Sequence, residues 1–302
     1  MVPIRERYAA VAQELIRHSR QPDVITRDAV FQESNLTNRR IVESIVTELI
    51  LPGSGIEGME NLEKLFALAQ QGRPSLILME HYSNFDIPCL YYLLKGEGEK
   101  GMAVADSIVS IAGMKLNEES RIVRAFSEAY TRIVIYPARS LERVIDPEEQ
   151  SLEAKKAAEI NHHATRHMIR LKHEGHIILV FPAGTRYRPG EPDTKRVLRT
   201  VDSYVRTFEN MVMIGLAGNI LRISPDGDMT MDLVTEDVVR LKVGPVLNCR
   251  EFRREIREAI GPGEDHRGAV ARRIEERLEE LHQEADALRR EIAAQKGYKL
   301  PD

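Results

Sequence analysis

His81 stands five residues ahead of Asp86 in the segment Glu80-His81-Tyr82-Ser83-Asn84-Phe85-Asp86-Ile87-Pro88. A neutral imidazole takes a proton from an alcohol when its other nitrogen is held by an acceptor that stabilises the imidazolium. Asp86 is placed to be that acceptor, because a strand-to-helix loop can fold back on itself and sites cluster at strand ends. The plainer alternative makes Asp86 the cap of the following helix and His81 an ordinary loop histidine. A second segment, Phe181-Pro182-Ala183-Gly184-Thr185-Arg186-Tyr187-Arg188-Pro189-Gly190, has the same form: an apolar run, a turn with Pro182 and Gly184, then arginines. Arg186 and Arg188 flank Tyr187 and could aim two guanidinium groups at one phosphate, whose oxygens suit the planar fork of arginine. Lys195, Arg196 and Arg199 follow and add positive charge. The arginines alone read as a solvated basic loop. A base and an anion clamp at two strand ends together point to a hydroxyl activated beside a bound phosphate.

The elements that must position these residues follow from apolar spacing. Residues 1–50 read as helical with no strand signal: Tyr8, Val11, Leu15 and Ile16 form one stripe, and Ile41, Ile45, Val46, Leu49 and Ile50 another. Both stripes are expected to pack against the body in preference to a membrane surface. Leu51-Pro52-Gly53-Ser54-Gly55 is a breaker cluster. It divides the chain into an N-terminal helical region over 1–52 and an α/β body over 53–302 that ends in helices. Within the body, Met59–Gln70 reads as a helix and Ser75–Met79 as a strand. Asp86-Ile87-Pro88 reads as a helix start, with Asp at the cap and Pro in the first turn. Thr131–Tyr136 reads as a strand, Leu152–Glu174 as a long helix, Ile177–Phe181 as a strand, Lys195–Asn210 as a helix and Met211–Leu216 as a strand. Leu221–Ser224 and Met229–Val234, joined through Pro225-Asp226-Gly227-Asp228, resemble a hairpin with Met229 and Met231 on one face, whereas Met211 and Met213 look like strand core. The alternation predicts an α/β fold with a mixed, largely parallel central sheet flanked by helices. Ile274, Leu278, Leu281, Ala285, Leu288 and Ile292 form a helical seam, expected to pack within the chain rather than to dimerise.

Composition narrows the function classes. The 302 residues are 42% apolar and 30% charged, enough for a core in a water-exposed protein. No run approaches the roughly 18–20 apolar residues of a membrane span, and no leader with a cleavage site is evident. Cys89 and Cys249 are expected to be buried thiols in a reducing compartment. A net charge of −4, no Trp and 5% aromatics argue against nucleic-acid binding. No Gly-Lys-Ser/Thr loop or Gly-x-Gly-x-x-Gly follows a strand, so nucleotide binding is unsupported. Gly53-Ser54-Gly55 is not a hydrolase elbow. His163 and His167, with Glu159 and His162 nearby, have metal-ligand spacing, yet they sit on a charged helix face without a strong third ligand. No metal is expected.

The two blocks together resemble the glycerophospholipid acyltransferase family, which carries His-x4-Asp in one block and a Phe-Pro-Glu-Gly-Thr-Arg-like block later. Their separation of about 100 residues also fits. Gly55-Ile56-Glu57-Gly58-Met59-Glu60-Asn61 is similar to the Gly-x-Glu-Asn entry of that family, and Ile133–Arg139 sits where it has a middle, arginine-bearing block. The likeness covers roughly residues 55–235. It implies that His81 deprotonates the acceptor hydroxyl while Asp86 orients it, and that Arg139, Gly184, Thr185, Arg186 and Arg188 bind substrate. It also implies a fatty acyl thioester, acyl-CoA or acyl carrier protein, as co-substrate, with no other cofactor. The acceptor would be glycerol 3-phosphate, with lysophosphatidate or a related lipid amine or alcohol as alternatives; a silent lipid- or carrier-binding member is the remaining one. The expected place is the cytoplasm, with peripheral contact at a membrane surface. Ala183 replaces the glutamate of the third block, so no carboxylate role carries over there. The tail through Arg188 is closer to the Gly-Gly-Arg-x-Arg pattern of glycerol-3-phosphate acyltransferases, and the fourth block, near Val212–Leu216, lacks its proline.

Overall fold

The apolar runs Ser75–Met79, Ile177–Val180 and Asn210–Ala217 become strands buried along their whole length. Continuous aliphatic runs behave this way when helices cover both faces of a parallel sheet. The computed structural model describes residues 1–22, 24–118, 120–141, 145–224 and 228–301. In chain order its strands are β1 (Val2–Pro3), β2 (Phe31–Gln32), β3 (Gly55–Glu57), β4 (Ser75–Met79), β5 (Ile108–Gly113), β6 (Arg132–Ile135), β7 (Ile177–Val180), β8 (Asn210–Ala217), β9 (Leu221–Arg222), β10 (Leu233–Val234), β11 (Arg240–Val243) and β12 (Leu247–Asn248). Among the described residues, nine of these form one sheet in the order β2-β6-β5-β7-β4-β8-β11-β3, with β12 beside β8. The run from β6 through β5, β7 and β4 to β8 is parallel, and so is β3 on β11. Antiparallel pairing joins β2 to β6 and both β11 and β12 to β8. The fold is therefore mixed α/β, mostly parallel, with helices on both faces. A small antiparallel sheet, β1-β10-β9, ties the N-terminus to the segment after β8.

Alternation along each strand divides the core. Ile77, Met79, Leu179, Val212 and Ile214 pack with Val42, Leu49, Leu62, Leu65 and Leu90 from one set of helices. Leu76, Leu78, Val180, Met211 and Met213 pack on the other face with Ile160, Ala164, Ile274, Leu278 and Leu281. Each such aliphatic side chain contributes about 1.5–3 kcal/mol by leaving water. The N-terminal stripes join the first of these clusters through Tyr8, Leu15, Ile45 and Val46.

Helix ends follow from capping chemistry. Asn35 accepts from the amides of Thr37 and Asn38 at the start of Leu36–Leu49, and Asp146 caps Pro147–Leu171 with proline in its first turn. The helix His266–Lys296 stops at Gly297 in the left-handed region. Its seam packs within the chain: Ile274, Leu278, Leu281 and Ala285 are buried, and the helix lies on β8 and β11. Arg289 fastens it to buried Asp237: Nη2 donates to Oδ1 at 2.7 Å and Oδ2 at 2.8 Å, and Nε to Oδ1 at 3.1 Å.

Several local expectations need correction. The first fifty residues contain β1 and β2, short strands whose pairing comes from distant partners rather than from local pattern. The helix expected over 195–210 is confined to Val201–Thr207, because Lys195 and the residues after it form a loop along the pocket wall. Met229–Met231 is a 3-10 turn, so those methionines do not share a hairpin face; Asp228 caps the turn by accepting from the Thr230 amide. Strand pairing is limited to β9 and β10, and residues 225–227 of the expected turn lie outside the described residues. Cys89 and Cys249 are buried and unpaired. Among the described residues, no helix is long and apolar enough to cross a membrane.

Candidate active site

Two motifs 100 residues apart meet because β4 and β7 are adjacent and parallel, with Leu78 opposite Val180. The loops leaving their carboxyl ends therefore emerge side by side, where open parallel sheets place their sites. The amide of Tyr187 donates to the His81 carbonyl at 2.8 Å and joins one loop to the other. Gly184, at φ +66°, turns the second loop; a side chain there would be strained and would meet Leu198 at 2.8 Å.

His81 Nδ1 lies 2.8 Å from Asp86 Oδ2. A carboxylate oxygen accepts, so Nδ1 carries the proton and Nε2 is left to receive one. Asp86 is not the helix cap expected from sequence. It is the first residue of the helix Asp86–Gly96, and its carboxylate turns back to accept from the amides of Tyr82 at 2.7 Å and Ser83 at 3.0 Å and from the Ser83 hydroxyl at 3.1 Å. This loop closure holds a 3% exposed carboxylate against the imidazole. Phe181 stacks on the ring at 3.9 Å between centroids and 9° between planes, which fixes the imidazole plane.

A pocket of about 370 Å³, with charged side chains in its wall, opens beside this pair. Its wall includes Glu80, His81, Tyr82, Ala183, Tyr187 and Lys195. Ala183, in the third-block glutamate position, thus faces a pocket whose carboxylates come from elsewhere, from Glu80 and Glu275. Glu80 accepts from the Tyr82 hydroxyl at 2.9 Å and the Leu216 amide at 2.9 Å. Burial, reinforced by the nearby Glu80 charge, pushes the Tyr82 hydroxyl far up. Lys195 binds Glu279 at 2.5 Å and lies 3.6 Å from Glu80; burial works against its charge, but the two carboxylates hold its ammonium above the usual lysine value.

An apolar groove of about 580 Å³ adjoins the same loop on Asn84 and Phe85. Ile4, Val11, Ala12, Phe126 and Leu221 contribute to its wall.

The anion-clamp residues are dispersed. The buried Arg186 guanidinium pairs through Nη1 with Oδ2 of Asp232, which is fully buried. Burial pushes the Asp232 carboxyl up, while Arg186 and the Ser224 amide oppose the shift. Arg188 is 41% exposed and stands 4.0 Å from Glu191, and its amide donates to Thr194. Thr185, in the loop after β7, is half-buried. Arg139 belongs to the helix Ala138–Leu141 after β6, and its side chain lies outside the described residues. Arg196 and Arg199 are exposed and paired with Asp193 and Asp265. The histidines with metal spacing point to other uses: His167 stacks on Phe31, and no metal-holding cluster occurs among the described residues. Glu80, Tyr82, Asp232 and His282 carried no sequence signal of their own, although the first two flank His81.

The α/β sheet thus sets a His-Asp pair at one strand end and a basic loop at the next. Residues 55–215 match the acyltransferase family model, the glycerophospholipid acyltransferase domain, and the chain belongs to that family. The chain is thus an acyl-transferring enzyme by family. No curated protein matches the chain.

Proposed function

We propose that the protein moves a fatty acyl group from a thioester, acyl-CoA or acyl carrier protein, to the hydroxyl of glycerol 3-phosphate. The observation that carries this reading is the 2.8 Å contact between His81 Nδ1 and Asp86, which leaves Nε2 as the base. The acceptor hydroxyl gives its proton to Nε2 as its oxygen attacks the thioester carbonyl carbon. The carbon–sulfur bond then breaks, and the leaving thiolate takes the proton back from the imidazolium. Asp86 stabilises that imidazolium, and the Phe181 stack keeps the ring aimed. The scheme calls for no metal and no cofactor beyond the thioester.

Arg186 would bind the acceptor phosphate with the N–H donors not given to Asp232, since a guanidinium carries five in a fixed fork. On the same reading Gly184, Thr185, Arg188 and Arg139 would be further substrate-binding residues. The apolar groove at Phe85 suits the acyl chain, because it adjoins the loop of the base and its wall is mostly aliphatic and aromatic. That same groove would serve 1-acylglycerol 3-phosphate as the alternative acceptor. Peripheral contact with a bilayer, where such a product belongs, is part of the proposal. Thioester consumption by purified protein, with each acceptor in turn, tests the reading. Acyl transfer to glycerol 3-phosphate that disappears in His81→Ala is expected; undiminished transfer in that variant overturns it.

A further inference from the structure

The family match ends at Gly215, yet residues beyond it reach the two residues that flank the base. Gly215 has no side chain where the C-terminal helix crosses β8: a Cβ there would lie 2.4 Å from the His282 amide nitrogen and 2.5 Å from the Leu281 carbonyl carbon. The helix backbone therefore rests directly on the strand and delivers the His282 side chain to the end of β4. His282 Nδ1 is 2.8 Å from the Leu216 carbonyl oxygen, which only accepts, so this nitrogen is the protonated one. It also stands 3.2 Å from Glu80 Oε2 and 3.2 Å from the Tyr82 hydroxyl, and the Tyr82 and His282 rings stack at 5.4 Å. One turn earlier, Glu279 holds Lys195, which lies 5.8 Å from the Tyr82 ring centre and 5.9 Å from that of Tyr187. Glu80 and Tyr82 are the residues on either side of His81, and the Tyr82 amide is one of the donors to Asp86.

We propose that His282 is a positioning residue for acyl transfer: by gripping Glu80 and Tyr82 from the C-terminal helix, it fixes the direction in which His81 meets the hydroxyl. This rests on the assignment of His81 as the base. The groups facing His282 are Glu80 and Tyr82 from the β4 loop, Lys195 from the β7 loop and Glu279 from its own helix. Burial lowers its pKa, but the Glu80 hydrogen bond and charge more than offset this and raise it. The grip is therefore strongest while His282 is charged and relaxes as pH rises through that raised value.

The test measures kcat and KM for acyl-CoA across pH in the wild type, His282→Ala, His282→Gln and His81→Ala. Expected in His282→Ala is a kcat about ten- to a hundredfold lower, as misplacement of a reacting group costs, with donor KM unchanged. Glutamine keeps an N–H donor but does not titrate. His282→Gln should hold kcat within about threefold of wild type near pH 7, well under that misplacement cost, and lose the alkaline fall that the wild type shows. If His81→Ala is inactive while His282→Ala keeps full kcat, the inference is overturned and the base assignment stands. If His81→Ala is active, the base assignment itself fails. Should His282→Ala not fold, the glutamine variant decides: an alkaline fall identical to wild type overturns the proposal.

Discussion

The pocket with charged side chains takes Glu80, His81 and Tyr82 into its wall, and the apolar groove takes Asn84 and Phe85 from the next turn of the same loop. The pocket is a place of fixed charge, where Glu80 is held by an amide, a phenol and an imidazole and Lys195 by a carboxylate. The groove is bounded by aliphatic and aromatic side chains, with Arg5 as the charged residue in its wall. Six residues of chain from Glu80 to Phe85 thus serve two solvents. The difference separates aiming from holding. Chemistry needs pre-set dipoles on the pocket side, whereas chain binding needs only area removed from water.

The largest effect that could break this division comes from Asp86→Asn. It should cost about 10²–10⁴ in kcat by spoiling the imidazole tautomer, while titration with a non-reactive thioester analogue shows unchanged binding. Parallel loss of analogue binding would mean that the loop aims and holds at once. Next comes the buried Arg186–Asp232 pair. Arg186→Leu strands Asp232 and should cost about 3–5 kcal/mol in a urea melt; Arg186→Leu with Asp232→Leu should recover most of it, yet keep a raised KM for the acceptor phosphate. Full recovery of that KM would remove Arg186 from the acceptor site. A smaller change is expected in Ala12→Trp, which fills the groove. Because each buried methylene is worth about 0.8 kcal/mol, or fourfold, kcat/KM for long-chain donors should fall about tenfold while short-chain donors are spared, and an unaltered chain-length profile would move the acyl chain elsewhere. The smallest effect is on stability. The folded-state pKa of His282 is raised, so its contribution is fully present below about pH 6.5 and is lost as pH climbs through the raised value. Urea melts of wild type and His282→Gln should differ more at pH 6 than at pH 9, and equal differences would show the histidine is not titrating against Glu80.

The pocket was legible in the sequence where the groove was not, and the reason lies in chain separation. His81 and Asp86 are close in sequence, and Ser75–Met79 and Ile177–Val180 announce themselves as buried strands. Two motifs at the ends of two such strands leave little freedom once the strands are neighbours. The groove joins Ile4, Ile45, Phe85, Phe126 and Leu221, none of which has a local pattern linking it to the others. Polar chemistry also hid where its partners were remote. Asp232 was unremarkable in a segment that resembled a hairpin, and it became the fully buried partner of Arg186. Asp86 reads from sequence both as the acceptor for His81 and as a helix cap, because capping and back-turned carboxylates use the same residue in the same place; the amides of Tyr82 and Ser83 distinguish them. Glycine at 215 carried no turn signal, since its purpose is the approach of another backbone.

The fastening of the C-terminal helix has a consequence for register. Arg289 reaches Asp237 with both Nε and Nη2 in this seating of the helix on β8. A slide by one turn, about 5.4 Å, would break this pair, leaving buried Asp237 without its guanidinium, and would offer Glu80 either the apolar Leu278 or the like-charged Asp286 in place of His282. The pair therefore acts as a detent, giving the helix one stop and Glu80 one imidazole partner.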